Sequence, residues 1–413
     1  MFKRELVEDF FSRERKFIGI ERELEIDKVN KIVSIVGPRR AGKTWYFYSI
    51  LDKEKNPMYV NFEDIAFRNL SSHEFFDVIR IFTELKYKPK TLFLDEVQAL
   101  KNWQVLVRSL YDRGYKLFVT GSSSKLLSKE ISTELRGRTI TYTLLPFSFR
   151  EFLRAKKSGT SAHTFEDKGT MQKLLKEYLT YGGYPEVVLN KGKERILKEY
   201  FDEIFYKDFV ERHKIKSIEF GRFLFEFVFQ NFSKEMSLRK LKSFFGRNIS
   251  DKTLYDYVEK LQDTLVVFFV EKYSKSIYQR RTWPRKIYVC DVGVPKVLGF
   301  SKDVGKKMEN CIFLELMRKT NQVPLLRVYY WKDYQQSEVD FVVTKSMKVK
   351  QLIQVCYNID DNTKEREVKS LLKASEVMKC KDLLVITWDM ENEEKHGAKR
   401  IKVIPLWKWL LKS

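Results

Sequence analysis

Eight residues constrain this chain more than any others. Gly37-Pro38-Arg39-Arg40-Ala41-Gly42-Lys43-Thr44 match the pattern G-x-x-x-x-G-K-[ST] in full. An apolar run, Ile32 to Val36, precedes them, and Trp45 to Leu51 follows with the look of a helix. A strand, a glycine loop and a helix in this order predict a phosphate cradle. Gly37 and Gly42 let the backbone curl so that successive N–H groups face one concavity. The helix beginning there adds the positive end of its dipole. Residues Gly37 to Trp45 are therefore the expected nucleotide-binding stretch. Lys43 is placed to reach the β- and γ-phosphates, and the Thr44 hydroxyl to ligate Mg²⁺.

A second apolar run, Thr91 to Leu94, closes on Asp95 and Glu96. A strand ending in two acids is a weak signal alone. Paired with the full loop motif it predicts Asp95 as the metal-side carboxylate and Glu96 as the group that polarises an attacking water. The strand Lys116 to Thr120 then runs into Gly121-Ser122-Ser123-Ser124. Ser122 or Ser123 is a candidate reader of the γ-phosphate, with a serine helix cap as the alternative. Arg136 and Arg138 are candidates for an arginine that neutralises the transferring phosphoryl group, with a solvated arginine as the alternative. ATP with Mg²⁺ is the expected cofactor pair.

The net charge of +22 points to a polyanionic partner, nucleic acid or an anionic membrane surface. A generally Lys- and Glu-rich composition is the rival explanation. No apolar run approaches the roughly 18 residues of a spanning helix, and the acidic N-terminal stretch does not resemble a signal peptide. Four scattered cysteines and four histidines complete no zinc pattern. A cytoplasmic chain with reduced cysteines is expected, with its oligomeric state left open.

Beyond the loop, residues 193–230 read as helical and rich in aromatics. Residues 237–272 read as two helices and a strand, with Ser250 capping a helix that turns Leu254, Val258 and Leu261 inward. A basic and aromatic hairpin, Lys275 to Lys286, follows. From Lys234 to Lys286 there are 13 basic residues against six acidic, which suits phosphate contact with stacking, although protein packing remains a rival. The last block has a helix bearing Glu309, a hairpin with Glu338-Val339-Asp340, and a strand bearing Gln354 and Cys356. That is the layout of a PD-(D/E)xK nuclease fold with its third acid and its lysine replaced. Lys350 and Lys364 are possible substitutes for the lysine.

Together these motifs resemble archaeal and bacterial P-loop ATPases of the AAA+/STAND type with a C-terminal degenerate restriction-endonuclease-like domain. The residues carrying the likeness are Phe17-Ile18-Gly19, the loop, Leu92 to Gln98, Thr120 to Ser124, Leu135 to Arg138, Gly182 to Val188, and the stretch from Glu338 to Tyr357. The resemblance implies an α/β fold whose parallel sheet has an extra strand between the two acidic and glycine motifs. It also implies a helical lid, a winged helix and a C-terminal α/β domain. The expected divisions are 1–153, 154–213, 214–284 and 285–413. By the same likeness Phe17 and Ile18 pack on adenine and Pro185 contacts it. The family usually has Gly-Arg-Glu where this chain has Gly19-Ile20-Glu21, so an arginine near the nucleotide is in question. The expected function is an ATP-hydrolysing switch acting on DNA, and a nucleotide-gated interaction scaffold or an ATP-dependent nuclease are the alternatives.

Overall fold

The computed structural model describes residues 3–13, 19–68, 70–122, 135, 137–159, 164–237, 241–243, 249–299, 303–357 and 361–412. The chain divides into two compact units, Met1–Leu145 and Pro146–Ser413.

The first unit is built on five parallel strands. They are β1 (Ile32–Val36), β2 (Pro57–Asn61), β3 (Thr91–Asp95), β4 (Lys116–Gly121) and β5 (Thr139–Thr143), in the order β2-β3-β4-β1-β5. The extra strand β4 thus stands between the strand leading into the glycine loop and the strand ending in the acids, as expected. Parallel strands covered on both faces need unbroken apolar runs, and every residue of β1 and β3 is buried. Helices Lys43–Leu51, Glu74–Leu85 and Trp103–Asp112 alternate with these strands. Phe75, Val78, Ile79 and Phe82 recur at helical spacing and are buried. The register pairs Val36 with Gly121 and with Thr143, and Asn61 with Asp95. The carboxyl ends of the strands therefore line one edge, which is where ligands bind in open α/β sheets.

In the second unit, helices Phe165–Tyr181, Lys193–Glu203 and Ile218–Gln230 lead into a small sheet. The helix from Lys193 continues as a π-helical run, Ile204–Glu211, which periodicity did not suggest. Phe201, Phe205 and Phe209 pack on Phe225 at centroid distances of 5.0, 5.4 and 6.0 Å. The sheet has β6 (Glu235–Met236), β7 (Val267–Val270) and β8 (Arg285–Val289) in the antiparallel order β6-β8-β7. It closes at Val289. The helix Asp251–Asp263 precedes β7, and Ser250 caps it by accepting from the Thr253 N–H at 3.1 Å. Leu254, Val258 and Leu261 are buried and Tyr255 is exposed. The expected simple hairpin between β7 and β8 instead carries a short helix, Ile277–Thr282, capped by Ser276.

The rest of the unit is helix Val304–Gln322 against a six-stranded sheet. Its strands are β9 (Leu326–Lys332), β10 (Glu338–Lys345), β11 (Lys348–Cys356), β12 (Leu383–Thr387), β13 (Asn392–His396) and β14 (Lys399–Pro405). The order is β13-β14-β12-β11-β10-β9, antiparallel from β9 to β11 and parallel from β11 through β12 to β14.

Candidate functional site

The glycine loop lies at the carboxyl edge of the first sheet. A Cβ on Gly37 would collide with the Leu144 carbonyl, so only glycine lets the loop leave β1 here. Gly42 has φ +95° and caps the helix Lys43–Leu51, a backbone state that side chains resist. The Arg22 guanidinium braces the loop, donating to the carbonyls of Ala41 at 2.7 Å and Leu145 at 2.5 Å. Lys43 is almost wholly buried. Its ammonium donates to the carbonyls of Gly37 at 3.2 Å and Pro38 at 3.3 Å, and pairs with Glu96 at 3.4 Å.

Asp95 is fully buried among hydroxyls. Thr44 donates to it at 2.6 Å, Tyr59 at 2.8 Å, and Thr120 to its other oxygen. Burial, with Glu96 next to it, pushes its carboxyl above the usual range despite these bonds. Glu96 stands at φ +50°, its N–H on the Thr120 hydroxyl at 3.0 Å. Burial alone would raise its carboxyl, but Lys43, Gln98 and Arg39 together hold it below the usual range. Gln98 donates to Glu96 and, at 3.4 Å, to Ser122. Among the described residues no cluster of three or more His, Cys, Asp or Glu could hold a metal alone. The Thr44 and Asp95 oxygens do suit Mg²⁺, which commonly takes one or two protein oxygens and completes its shell with phosphate oxygens and water.

The structure brings together Gly37, Pro38, Ala41, Gly42, Lys43, Thr44, Asp95, Glu96 and Ser122. Arg39 pairs with Glu63 at 3.7 Å, Arg40 is exposed at φ +67°, and Trp45 is exposed beside Tyr48. Arg138 lies elsewhere. It precedes a strand parallel to β1, its carbonyl accepts from the Ile32 N–H at 2.8 Å, and its guanidinium pairs with Asp112. It is thus at the amino edge of the sheet, the end opposite the loop. Phe17, Ile18, Ser123 and Arg136 lie outside the described residues. Arg22, Tyr59, Thr120 and Gln98 were not foreseen.

Pro185 belongs to the second unit, where it opens helix Pro185–Leu189. The Gly182-Gly183 turn before it seats a carboxylate. Asp291 accepts from the N–H of Gly183 at 2.7 Å and of Gly293 at 2.8 Å, and a Cβ on Gly182 would strike it. Burial pushes the Asp291 carboxyl up to about 7.

The residues expected from the nuclease-like layout all belong to the second unit. Glu309 and Asp340 are buried. Asp340 accepts from the Val355 N–H at 3.0 Å, and Gln354 accepts from the Asp340 N–H at 3.3 Å while donating to Glu367 at 2.5 Å. Cys356 is buried and Lys350 exposed, and the Lys364 side chain is outside the description. The cation among the carboxylates is Lys286, at 3.0 Å from Glu309, 2.9 Å from Asp340 and 2.6 Å from Glu338. As a residue of the basic hairpin it was expected to meet phosphate. It sits in the central strand of the small sheet and points inward.

Residues 29–153 match the model of an AAA domain. Two domains of unknown function match the rest, DUF8612 over 172–303 and DUF4143 over 304–409. The uncharacterized protein MJ1544 of Methanocaldococcus jannaschii is 37% identical over 424 residues, covering 98% of this chain and 94% of that protein. An uncharacterized protein of Haemophilus influenzae is 26% identical over 408 residues, covering 95% and 97%. The crystal structure of Cdc6p from Pyrobaculum aerophilum aligns at 12% identity over 70% of this chain and 87% of that one. Its TM-score of 0.27 is too low to carry an argument.

Proposed function

The chain belongs to the family of the uncharacterized protein MJ1544, and we propose that it is an ATP-binding, slowly ATP-hydrolysing switch whose partner is DNA. The observation that carries this is the convergence of Lys43, Thr44, Asp95 and Glu96 at the carboxyl edge of an AAA-domain sheet. The loop N–H groups and the helix dipole would hold the phosphates. Thr44 would hold Mg²⁺ directly and Asp95 through water, and the ion would neutralise phosphate charge. Lys43 would exchange the carbonyls of Gly37 and Pro38 for phosphate oxygens. That exchange draws the ammonium from Glu96, whose carboxylate becomes more basic and better able to take a proton from water. Gln98 and the Thr120 hydroxyl orient it. An arginine acting on the phosphates, if Arg138 serves, would have to come from a second copy.

Within the second unit we read the order helix, β6, helix Asp251–Asp263, β7, β8 as a winged helix, preceded by a helical lid that includes Pro185. We read the helix and mixed sheet after it as nuclease-like and non-cleaving. The charge of +22 supports a nucleic-acid partner. The scaffold reading has its own support. Arg280 donates to the Tyr329 hydroxyl at 3.0 Å and Lys286 is internal, so two of the hairpin's cations are spent within the protein. Ile277 and Tyr278 beside them are exposed. Duplex binding measured across salt concentrations, with ATP and without nucleotide, separates these readings. Steep salt-weakened binding supports DNA, and no binding at about 50 mM salt supports the scaffold. Cleavage of plasmid lost on Asp340→Ala would support the nuclease.

A further inference from the structure

We infer that Lys286 is a built-in counter-ion that occupies the cation position of the Glu309–Glu338–Asp340 cluster, so that this domain holds its fold without a divalent metal. The inference rests on the nuclease-like reading only for the idea that such a cluster once suited a metal. The geometry stands by itself.

An ammonium has three N–H donors and no acceptor. Lys286 meets three carboxyl oxygens, one each from Glu309, Asp340 and Glu338, so every donor has an acceptor, although burial outweighs the pull of Lys286 on Glu309 and pushes that carboxyl up to about 8. The separations of 2.6 to 3.0 Å are those of charge-assisted hydrogen bonds. Mg²⁺ draws its oxygens to about 2.0–2.1 Å and Ca²⁺ to about 2.3–2.6 Å. The cluster is therefore spread to the radius of an ammonium. The second oxygens of Asp340 and Glu338 are also engaged, and Glu309 accepts twice at the oxygen that meets Lys286. The Tyr288 hydroxyl donates to Glu309 at 2.6 Å, the Val355 N–H to Asp340 at 3.0 Å, and Lys332 pairs with Glu338 at 3.3 Å. The fourth position, Gln354, brings no charge and is engaged with Glu367.

The four side chains come from three elements. Lys286 is on β8, Glu309 on helix Val304–Gln322, and Glu338 and Asp340 on β10. One side chain thus ties the small sheet to the helix and to the six-stranded sheet. Burial alone would lower the Lys286 ammonium, but Asp340 and Glu309 raise it well above its usual range. It remains charged throughout the physiological span. A metal would have needed loading, whereas the lysine arrives with the chain.

The test uses full-length, nucleotide-free protein and Mn²⁺ followed by electron paramagnetic resonance. Wild-type protein should take up no Mn²⁺ that Asp340→Asn removes, and its melting temperature should be the same in EDTA and in Mn²⁺. Lys286→Met leaves Glu309 and Asp340 without their cation, while Glu338 keeps Lys332. It should melt on the order of 10 °C lower in EDTA, recover in Mn²⁺, and bind one Mn²⁺ that Asp340→Asn then abolishes. If Lys286→Met does not fold even with Mn²⁺, the variant Lys286→Met/Glu309→Gln/Asp340→Asn, with charge removed on both sides, should fold regardless of metal. Asp340-dependent Mn²⁺ in the wild type would overturn the inference. So would folded Lys286→Met that gains no Mn²⁺, or a neutral triple variant that fails to fold. The outcome is independent of ATP turnover and of DNA binding.

Discussion

At the residue scale, Glu96 and Asp95 are neighbours with opposite environments. Asp95 is ringed by hydroxyls and raised by burial, whereas Glu96 has an ammonium and is held low. They therefore suit different tasks. Glu96→Gln should keep ATP affinity within about twofold and cut turnover by roughly 10²–10⁴, the usual worth of a general base. Unaltered turnover in a phosphate-release assay would mean another group activates the water. Asp291 offers a second residue-level expectation. Its folded carboxyl titrates near 7, above the unfolded value. Its stabilising contribution is therefore complete below about pH 4 and lost as the pH rises through about 7. Asp291→Asn should flatten the dependence of melting temperature on pH across that window. An unchanged slope would show that the Gly182-Gly183 seat keeps the carboxylate ionised.

At the element scale, the strands were the legible part. β1, β3 and β4 announce themselves as apolar runs because both faces of a parallel sheet are covered, and the loop and acids are placed by the ends of those runs. The edge at which Arg138 lies was also legible. Arg138 precedes β5, and the residue before a parallel strand sits at the amino edge, away from the phosphates. Lys286 had no local signal, because a lysine in a basic stretch looks alike whether it faces water or three carboxylates 23 to 54 positions away. Gln98 and Thr120 likewise acquire meaning only from partners across strands. The same distinction sorts the cations between β7 and β8. Lys275 is exposed, whereas Arg280 is tied to Tyr329. Lys275→Ala should lower the salt slope of DNA binding by roughly 1 and leave the melting temperature in place. An unchanged slope would remove this segment from the DNA surface.

At the scale of the whole molecule, the function we propose assigns the nucleotide site to the first unit, which matches an AAA domain, and the partner's surface to the second. The second unit also has two buried carboxylate arrangements that stiffen it, Asp291 on its glycine turns and the cluster on Lys286. No described helix is long and apolar enough to cross a membrane. A switch of this kind requires that nucleotide be bound through the glycine loop before anything else follows, and Lys43 is the cation the loop places there. The deciding measurement is titration calorimetry of ATP with Mg²⁺ into the full chain and into Lys43→Ala. The account predicts saturable binding by the wild type at one site per chain and none detectable in the variant, with both folded. Equal affinity in the two proteins would contradict it.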